Sequence, residues 1–251
     1  MMPSGRIMQK MQHWLFTRPN FQRLVVITQA LADAYQSRFP SLSPGKIKVV
    51  PSGAELPTSS PPATNISSDR LKVGYAGHLY PGKGMEIVAP LARRLPGIDI
   101  HVAGGTEEDL ENWRSEMQGT ENLHFHGHLS PVQAEEFRSA MDVMLVPTQA
   151  RMGIAGGAAL SSAWTSPLKL FEAMAAARPI IASDLPSFRD VLEDKTHALL
   201  VQSDDLDQWV DALQMLEQYP SIRQTMGAAG FELVSRCYSW ERRALRVLEG
   251  L

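Results

Sequence analysis

From residue 71 to the end of the chain, short apolar runs alternate with helix-period patterns. The runs fall near 72–77, 98–104, 123–127, 142–147, 179–184 and 198–201. Between them, apolar positions recur at helical spacing over 85–95, 107–117, 131–140, 167–177 and 188–192, and three further helical stretches close the chain. The runs are apolar throughout rather than alternating, which marks strands covered on both faces of a parallel sheet. The pattern predicts a doubly wound, Rossmann-like α/β domain over 71–251, where ligands sit outside the carboxyl ends of the strands. Residues 1–55 carry less: an amphipathic stretch with Ile7, Met11, Trp14 and Leu15, the run Leu24-Val25-Val26-Ile27, a helical pattern through Leu31, Ala34 and Tyr35, and the run Ile47-Lys48-Val49-Val50. That is a partial α/β segment, too small for an independent core. Residues 56–70, LPTSSPPATNISSDR, are rich in Pro, Ser and Thr and read as a linker.

Composition narrows the class. The 251 residues are 44% hydrophobic and 20% charged, which is globular rather than disordered or fibrous. One cysteine, Cys237, excludes an internal disulfide framework or a zinc site built on cysteine pairs, and it suits a reducing compartment. No run approaches the roughly 18 apolar residues of a spanning helix. The opening stretch is interrupted by Arg6, Gln9, Lys10 and Gln12, unlike a signal peptide. Eight Lys/Arg against Asp33, Glu55 and Asp69 give residues 1–70 a charge of +5, which leaves −8 for the rest of a chain whose net charge is −3. The acidic body argues against a nucleic-acid partner. The expectation is a cytoplasmic protein; the basic, apolar-studded start leaves open peripheral contact with the inner membrane face or self-association.

Two loops carry candidate chemistry. Gly77-His78-Leu79-Tyr80-Pro81-Gly82-Lys83-Gly84 follows a strand and opens a helix, where backbone N–H groups and the helix dipole favour an anion and Lys83 adds a mobile charge. Its spacing matches most of a P-loop, so a nucleotide triphosphatase is one reading, but Gly84 stands where a hydroxyl should hold magnesium. The plain alternative is a strand-to-helix turn with a surface lysine. The second loop, 148–166, has no strand pattern over nineteen residues, and Gly153, Gly156 and Gly157 would let it move. Ser166 then reads as an N-cap with Pro167 at the first helical position. Beyond it, Leu168, Phe171 and Ala175 share the packed side of the helix, while Lys169 and Glu172 share another face. Those two form an exposed ion pair on the bland reading; on the sharper one, Glu172 accepts hydrogen bonds from both hydroxyls of a ribose. His124, His126 and His128 alternate as metal ligands might, but Gly127 interrupts them and no cysteine or carboxylate accompanies them locally.

Three blocks occur in order: 73–84 (VGYAGHLYPGKG), 166–175 (SPLKLFEAMA) and 178–187 (RPIIASDLPS). Together they resemble the donor-binding domain of GT-B glycosyltransferases of the family 4, or group 1, type, over about residues 22–250. The stretch Val49-Val50-Pro51-Ser52-Gly53-Ala54-Glu55 is similar to that family's junction between its two domains. The resemblance implies a sugar transferase, usually retaining and metal-independent, with no cofactor. Its donor would be a UDP-, GDP- or ADP-sugar, and its acceptor a glycan, a lipid or a small molecule. It places Gly77 and His78 in the donor loop, with His78 where an arginine often stands. It assigns Lys83 to the diphosphate, the backbone at Ser166, Pro167 and Leu168 to phosphate or sugar, and Glu172 to the ribose.

Two departures accompany it. The family commonly carries a second glutamate eight positions before the ribose glutamate, and here Trp164 stands there. About 50 residues precede the junction, so 1–55 are expected to be the tail of an acceptor-side domain whose beginning lies elsewhere. The alternative to an enzyme is therefore a noncatalytic module that keeps the donor fold.

Overall fold

The computed structural model describes residues 5–57, 66, 68–153, 159–166 and 168–250. Its N-terminal part runs helix α1 (Arg6–Phe16), strand β1 (Leu24–Val26), helix α2 (Gln29–Arg38) and strand β2 (Ile47–Val49). β1 and β2 pair in parallel, Leu24 opposite Ile47, with α2 as the crossover. Thr28 opens α2 by accepting the Leu31 N–H. Phe16, Phe39 and Leu42 are buried at the centre of this unit, with Phe21, Leu24, Tyr35 and Ile47 packed around them. One face of α1 finds no such cover: Ile7, Met11 and Trp14 are 78%, 59% and 57% exposed. Among the described residues no helix is long and apolar enough to cross a membrane.

The main part alternates β3 (Lys72–Ala76), α3 (Met85–Arg94), β4 (Asp99–Ala103), α4 (Glu107–Glu116), β5 (Leu123–Gly127), α5 (Pro131–Ala140) and β6 (Val143–Val146). The short strands β7 (Arg151–Gly153) and β8 (Ala159–Ser161) follow, then α6 (Leu168–Ala175), β9 (Ile180–Ser183), α7 (Pro186–Arg189) and β10 (Leu199–Val201). Helices α8 (Leu206–Gln218), α9 (Pro220–Cys237) and α10 (Trp240–Leu248) end the chain. Six strands form one sheet in the order β10-β9-β6-β3-β4-β5, all parallel. The predicted doubly wound sheet is thus present, and winding reverses between β3 and β6.

The continuous apolar runs have the anticipated cause. Val73, Tyr75, Val143, Leu145 and Ile181 join α3 and α8 on one face, and Met144, Val146, Ile180 and Ala182 join α5, α6 and α9 on the other. Burying one such aliphatic side chain is worth about 1.5–3 kcal/mol. Thr106 and Ser130 open α4 and α5 with capping boxes closed by Asp109 and Gln133.

Three local expectations are corrected. The 148–166 segment contains the antiparallel pair β7 and β8, Arg151 opposite Ser161, followed by a 3-10 turn over Ser162–Trp164. Gly153 is therefore in a paired strand, while Gly156 and Gly157 lie outside the described residues. Helix α7 begins at Pro186 rather than 188, because proline at the first position needs no N–H partner. On α6, Leu170, Phe171, Ala173, Met174 and Ala175 are buried, but Leu168 is 46% exposed and sits outside the core.

The chain end returns to the N-terminal part. Ala54 N–H donates to the Tyr238 carbonyl (2.9 Å), and Arg243 Nε to the Pro51 carbonyl (3.1 Å). Arg23 reaches the Val247 and Glu249 carbonyls, both at 2.8 Å. Lys48 pairs with the Glu249 carboxylate at 2.9 Å. Gly53 admits no side chain, since a Cβ would collide with the Tyr238 carbonyl.

The histidines do not form the alternating trio weighed and discounted from sequence. His101 on β4 stands 3.0 Å from His126 (Nδ1 to Nε2) and stacks on His124 at 4.7 Å, and His124 approaches Asp99 at 3.6 Å. His128 lies past the strand, beyond Gly127 at φ +70°. Among the described residues no group of three or more His, Cys, Asp or Glu is placed to hold a metal ion. Burial, and then His124 and His126, push His101 down to about 4. The unfolded chain binds that proton from about pH 6.5 downward, so this group's contribution to stability is intact above that pH and is lost as pH falls toward about 4. Melting temperatures measured across this window should fall with acid in the parent protein and flatten in His101→Gln.

Candidate functional site

At the reversal between β3 and β6, both crossover connections lead away and leave a crevice. It opens into a cavity of about 460 Å³. Ala76, Gly77, His78 and Lys83 reach it from the β3 end, Ala103 and Gly104 from β4, Ala134 and Arg138 from α5, and Thr148 from beyond β6. Ser166, Leu168, Lys169 and Glu172 come from the start of α6. Of the seven residues singled out from sequence, Gly77, His78, Lys83, Ser166, Leu168 and Glu172 converge on one wall system. Pro167 lies outside the described residues.

The loop carrying Lys83 is braced from below. Tyr75 Oη stands 2.6 Å from the His78 carbonyl and 2.9 Å from the Lys83 carbonyl, so one buried phenol holds both ends of the turn. Burial, then Glu86 and Tyr80, raise the Tyr75 pKa well above the usual phenol range, which keeps the hydroxyl a donor. Gly77 N–H donates to the Ala103 carbonyl at 2.9 Å. Gly104, at φ +110°, lets the Gly77 carbonyl come where a Cβ would collide. These approaches set the ends of β3 and β4 directly beneath the cavity.

The amides at the start of α3 are already used. Glu86 accepts the Gly82 N–H at 2.6 Å and the Gly84 N–H at 3.2 Å, so the carboxylate occupies the place a phosphate takes in a P-loop. Together with Gly84 in place of a hydroxyl, this removes the structural basis for the triphosphatase reading. Anion attraction falls instead to side chains. His78 stacks on Tyr80 at 4.9 Å, and its pKa is lowered by burial, then by Lys83 and Lys169. Burial also lowers that of Lys83.

On the α6 side, Ser166 Oγ accepts the Ser52 N–H at 3.0 Å, which ties the helix start to the junction segment; that hydroxyl is turned to the junction and not only to its own helix. Glu172 meets Arg138 of α5 at 3.3 Å rather than Lys169. The Lys169–Glu172 ion pair of the plain reading is therefore absent. Lys169 turns inward, its Nζ 2.8 Å from Tyr75 Oη and 3.4 Å from the Lys83 carbonyl. The charged groups on the wall are thus Lys83, Arg138, Lys169 and Glu172, an excess of cations suited to an anionic ligand. Glu172, half-buried and paired with Arg138, presents a carboxylate on this wall to a hydroxylated group. Sequence reading missed Arg138, Tyr75 and Glu86. Arg138 sits near the end of α5, and no motif marks it. Tyr75 is a polar-tipped residue inside an apolar strand run, the one signal that could have found it.

Comparison with known proteins supports the fold and gives the family. The family described as "Glycosyl transferases group 1" matches residues 70–218. A D-inositol 3-phosphate glycosyltransferase of Saccharomonospora viridis is 26% identical over 249 residues, covering 90% of this chain and 54% of the relative. A phosphatidyl-myo-inositol mannosyltransferase of Mycobacterium leprae is 34% identical over 175 residues, covering 67% of this chain and 42% of the relative. The chain spans about half the length of the curated relatives it matches. In fold it resembles Anabaena HepE solved in complex with UDP, with a TM-score of 0.70 at 14% identity over 91% of this chain and 63% of that one. It also resembles a sucrose-phosphate synthase of Thermosynechococcus elongatus, with a TM-score of 0.74 at 21% identity over 97% and 60%.

Glu86 provides a direct check on the loop. Hydrogen bonds to a charged group are worth about 1.5–3 kcal/mol each, reduced here by partial exposure. Glu86→Ala should lower stability by about 1–3 kcal/mol. Amide exchange measured at Gly82 and Gly84 should accelerate selectively, while β9 and β10 stay protected.

Proposed function

The chain belongs to the group 1 glycosyl transferases, and from that premise we propose that it transfers a sugar from a nucleotide-sugar donor held in the switch-point cavity. The observation that carries this reading is the meeting of Lys83, His78 and Glu172 on one cavity at the carboxyl ends of the strands. Lys83 neutralises the donor's diphosphate, and His78 hydrogen-bonds it from the same loop. Glu172 accepts from the ribose diol, and the donor's phosphate or sugar is assigned to the backbone at Ser166, Pro167 and Leu168.

In the reaction the bond between the anomeric carbon and the diphosphate oxygen breaks while an acceptor hydroxyl oxygen bonds to that carbon. The hydroxyl proton leaves with the products. Charge then collects on the departing nucleoside diphosphate, where Lys83 and the start of α6 stabilise it without a metal ion. Stereochemistry is retained. The donor is a UDP-, GDP- or ADP-sugar. Residues 1–55 form the tail of the acceptor side, residues 71–251 the donor domain and 56–70 the link between them. The named relatives act on inositol-containing acceptors, so an inositol-bearing lipid or small molecule at the inner membrane face is the first acceptor to assay.

A second reading, a donor-binding module without turnover, is favoured by Trp164, which stands where the family commonly has a carboxylate. Binding of donor without hydrolysis or transfer, with or without added acceptor, would select it.

Calorimetry with UDP, GDP and ADP tests the shared core of both readings. At least one should bind and raise the melting temperature. Lys83→Ala and Glu172→Ala should each weaken it by about tenfold, some 1.4 kcal/mol. A folded protein that binds none of the three would sink the proposal.

A further inference from the structure

We propose that Lys169 is a positioning residue of the site and its anion-responsive cation: it spans the crevice from α6 to the loop of Lys83 and draws the two together when a diphosphate enters. This deepens the donor reading and rests on it only in identifying the diphosphate as part of a nucleotide.

The geometry singles Lys169 out. It lies in the first turn of α6, three residues before Glu172 on the same helix. Its ammonium is 2.8 Å from the Tyr75 hydroxyl and 4.3 Å from the centre of the Tyr75 ring. The same hydroxyl holds the His78 and Lys83 carbonyls, so Lys169, Tyr75 and the loop form one connected unit. Gly77 leaves room for this crossing, since a Cβ there would meet the tip of the Lys169 side chain and displace it. One side chain thus joins the element bearing Glu172 to the element bearing Lys83, directly beneath the cavity that both line.

What surrounds the ammonium matters as much. The charges that bear on it are Lys83 and His78 from the loop and Glu172 from its own helix, which pairs with Arg138 of α5 at 3.3 Å, while β3 contributes the neutral phenol of Tyr75. Glu86 of α3 is committed to the Gly82 and Gly84 amides. Among the described residues no carboxylate lies within ion-pair distance of Lys169. A cation removed from water without a counter-charge gives up its proton readily. Burial, then Lys83, pushes Lys169 down to about 7, with Glu172 opposing. A phosphate in the cavity supplies the missing counter-charge and favours the protonated form. Binding then draws a proton onto Lys169 and strengthens its hold on Tyr75 and the Lys83 carbonyl. A lysine that merely fills space beneath the loop would affect binding equally at every pH.

The test measures the affinity of inorganic pyrophosphate and of UDP, GDP and ADP for the full chain from about pH 6 to about pH 9. Parent protein is compared with Lys169→Met and Lys169→Arg, all checked for folding by thermal melts. Affinity ratios at each pH cancel the ligand's own ionisation. The parent should bind about tenfold more tightly than Lys169→Met near pH 6, with the ratio falling toward one by about pH 9. Lys169→Arg, which does not titrate, should match the parent near pH 6 and exceed it by about tenfold near pH 9. If the Met variant does not fold, the Arg comparison alone decides. A ratio that does not change with pH overturns the proposal, as does failure of pyrophosphate and every nucleotide to bind the parent. Pyrophosphate binding with the expected ratio, but no nucleotide binding, supports Lys169 and overturns the donor reading instead.

Discussion

A parallel sheet that reverses its winding cannot close the gap at the reversal. The connection leaving β3 and the one leaving β6 go to opposite faces, so the carboxyl ends of these neighbours are left uncovered. The sites of Lys83 and of Glu172 both follow from this. One loop continues from β3 and the other chain path returns from β6 to begin α6, and the two are brought face to face by the sheet rather than by any attraction between them. What remains for side chains is to keep the gap open and charged. The Gly77–Gly104 approach packs the strand ends tightly below, and Tyr75 fixes the turn above. Water and ligand can occupy only the space between.

Electrostatics explains why this gap is costly to the empty protein. Lys83, Arg138 and Lys169 share a wall with one carboxylate, Glu172, and Arg138 engages that carboxylate. Burial lowers the proton affinity of Lys83, and burial followed by the nearby Lys83 charge lowers that of Lys169. The protein keeps that unfavourable arrangement because the tightly packed faces of the sheet hold it in place. An anion entering the site would supply counter-charge to cations already held on one wall.

The backbone logic of the fold was legible in the sequence because it is local. Continuous apolar runs such as Ile180-Ile181-Ala182 report two covered faces, and starts such as Ser130-Pro131 carry their own capping chemistry. Gly77, His78, Lys83 and Glu172 were accessible for the same reason, since a strand end or a helix start marks each. The rest depends on which face of one element meets another. Lys169 and Glu172 are three apart on a helix and look like partners, yet the sheet places Tyr75 nearer the lysine and Arg138 nearer the glutamate. Glu86 reads as an ordinary first-turn acid until the loop folds back on it. His101 was invisible beside the alternating histidines of β5 because its partnership with His126 is set by the pairing of β4 with β5.

Long-range contacts of the same kind join the two parts of the chain. The junction at 51–54 is held mainly by backbone: Ala54 exchanges hydrogen bonds with Tyr238 and Trp240, Pro51 receives Arg243, and Ser52 donates to Ser166 at the head of α6. The junction segment contributes only backbone groups to these bonds, so its own side chains are little constrained apart from the missing one at Gly53, while Arg243 and Ser166 supply the side-chain partners. Its location is the informative point. The segment that connects the N-terminal part touches the start of the helix bearing Glu172 and Lys169, and the cavity beside the junction shares Arg138, Leu168 and Glu172 with the switch-point cavity. A displacement of the N-terminal part about this junction would therefore act first on α6 through Ser52 and Ser166. Lys169 and Tyr75 then connect α6 to the Lys83 loop, so the brace beneath the loop is one mechanical route from the junction to the cavity wall.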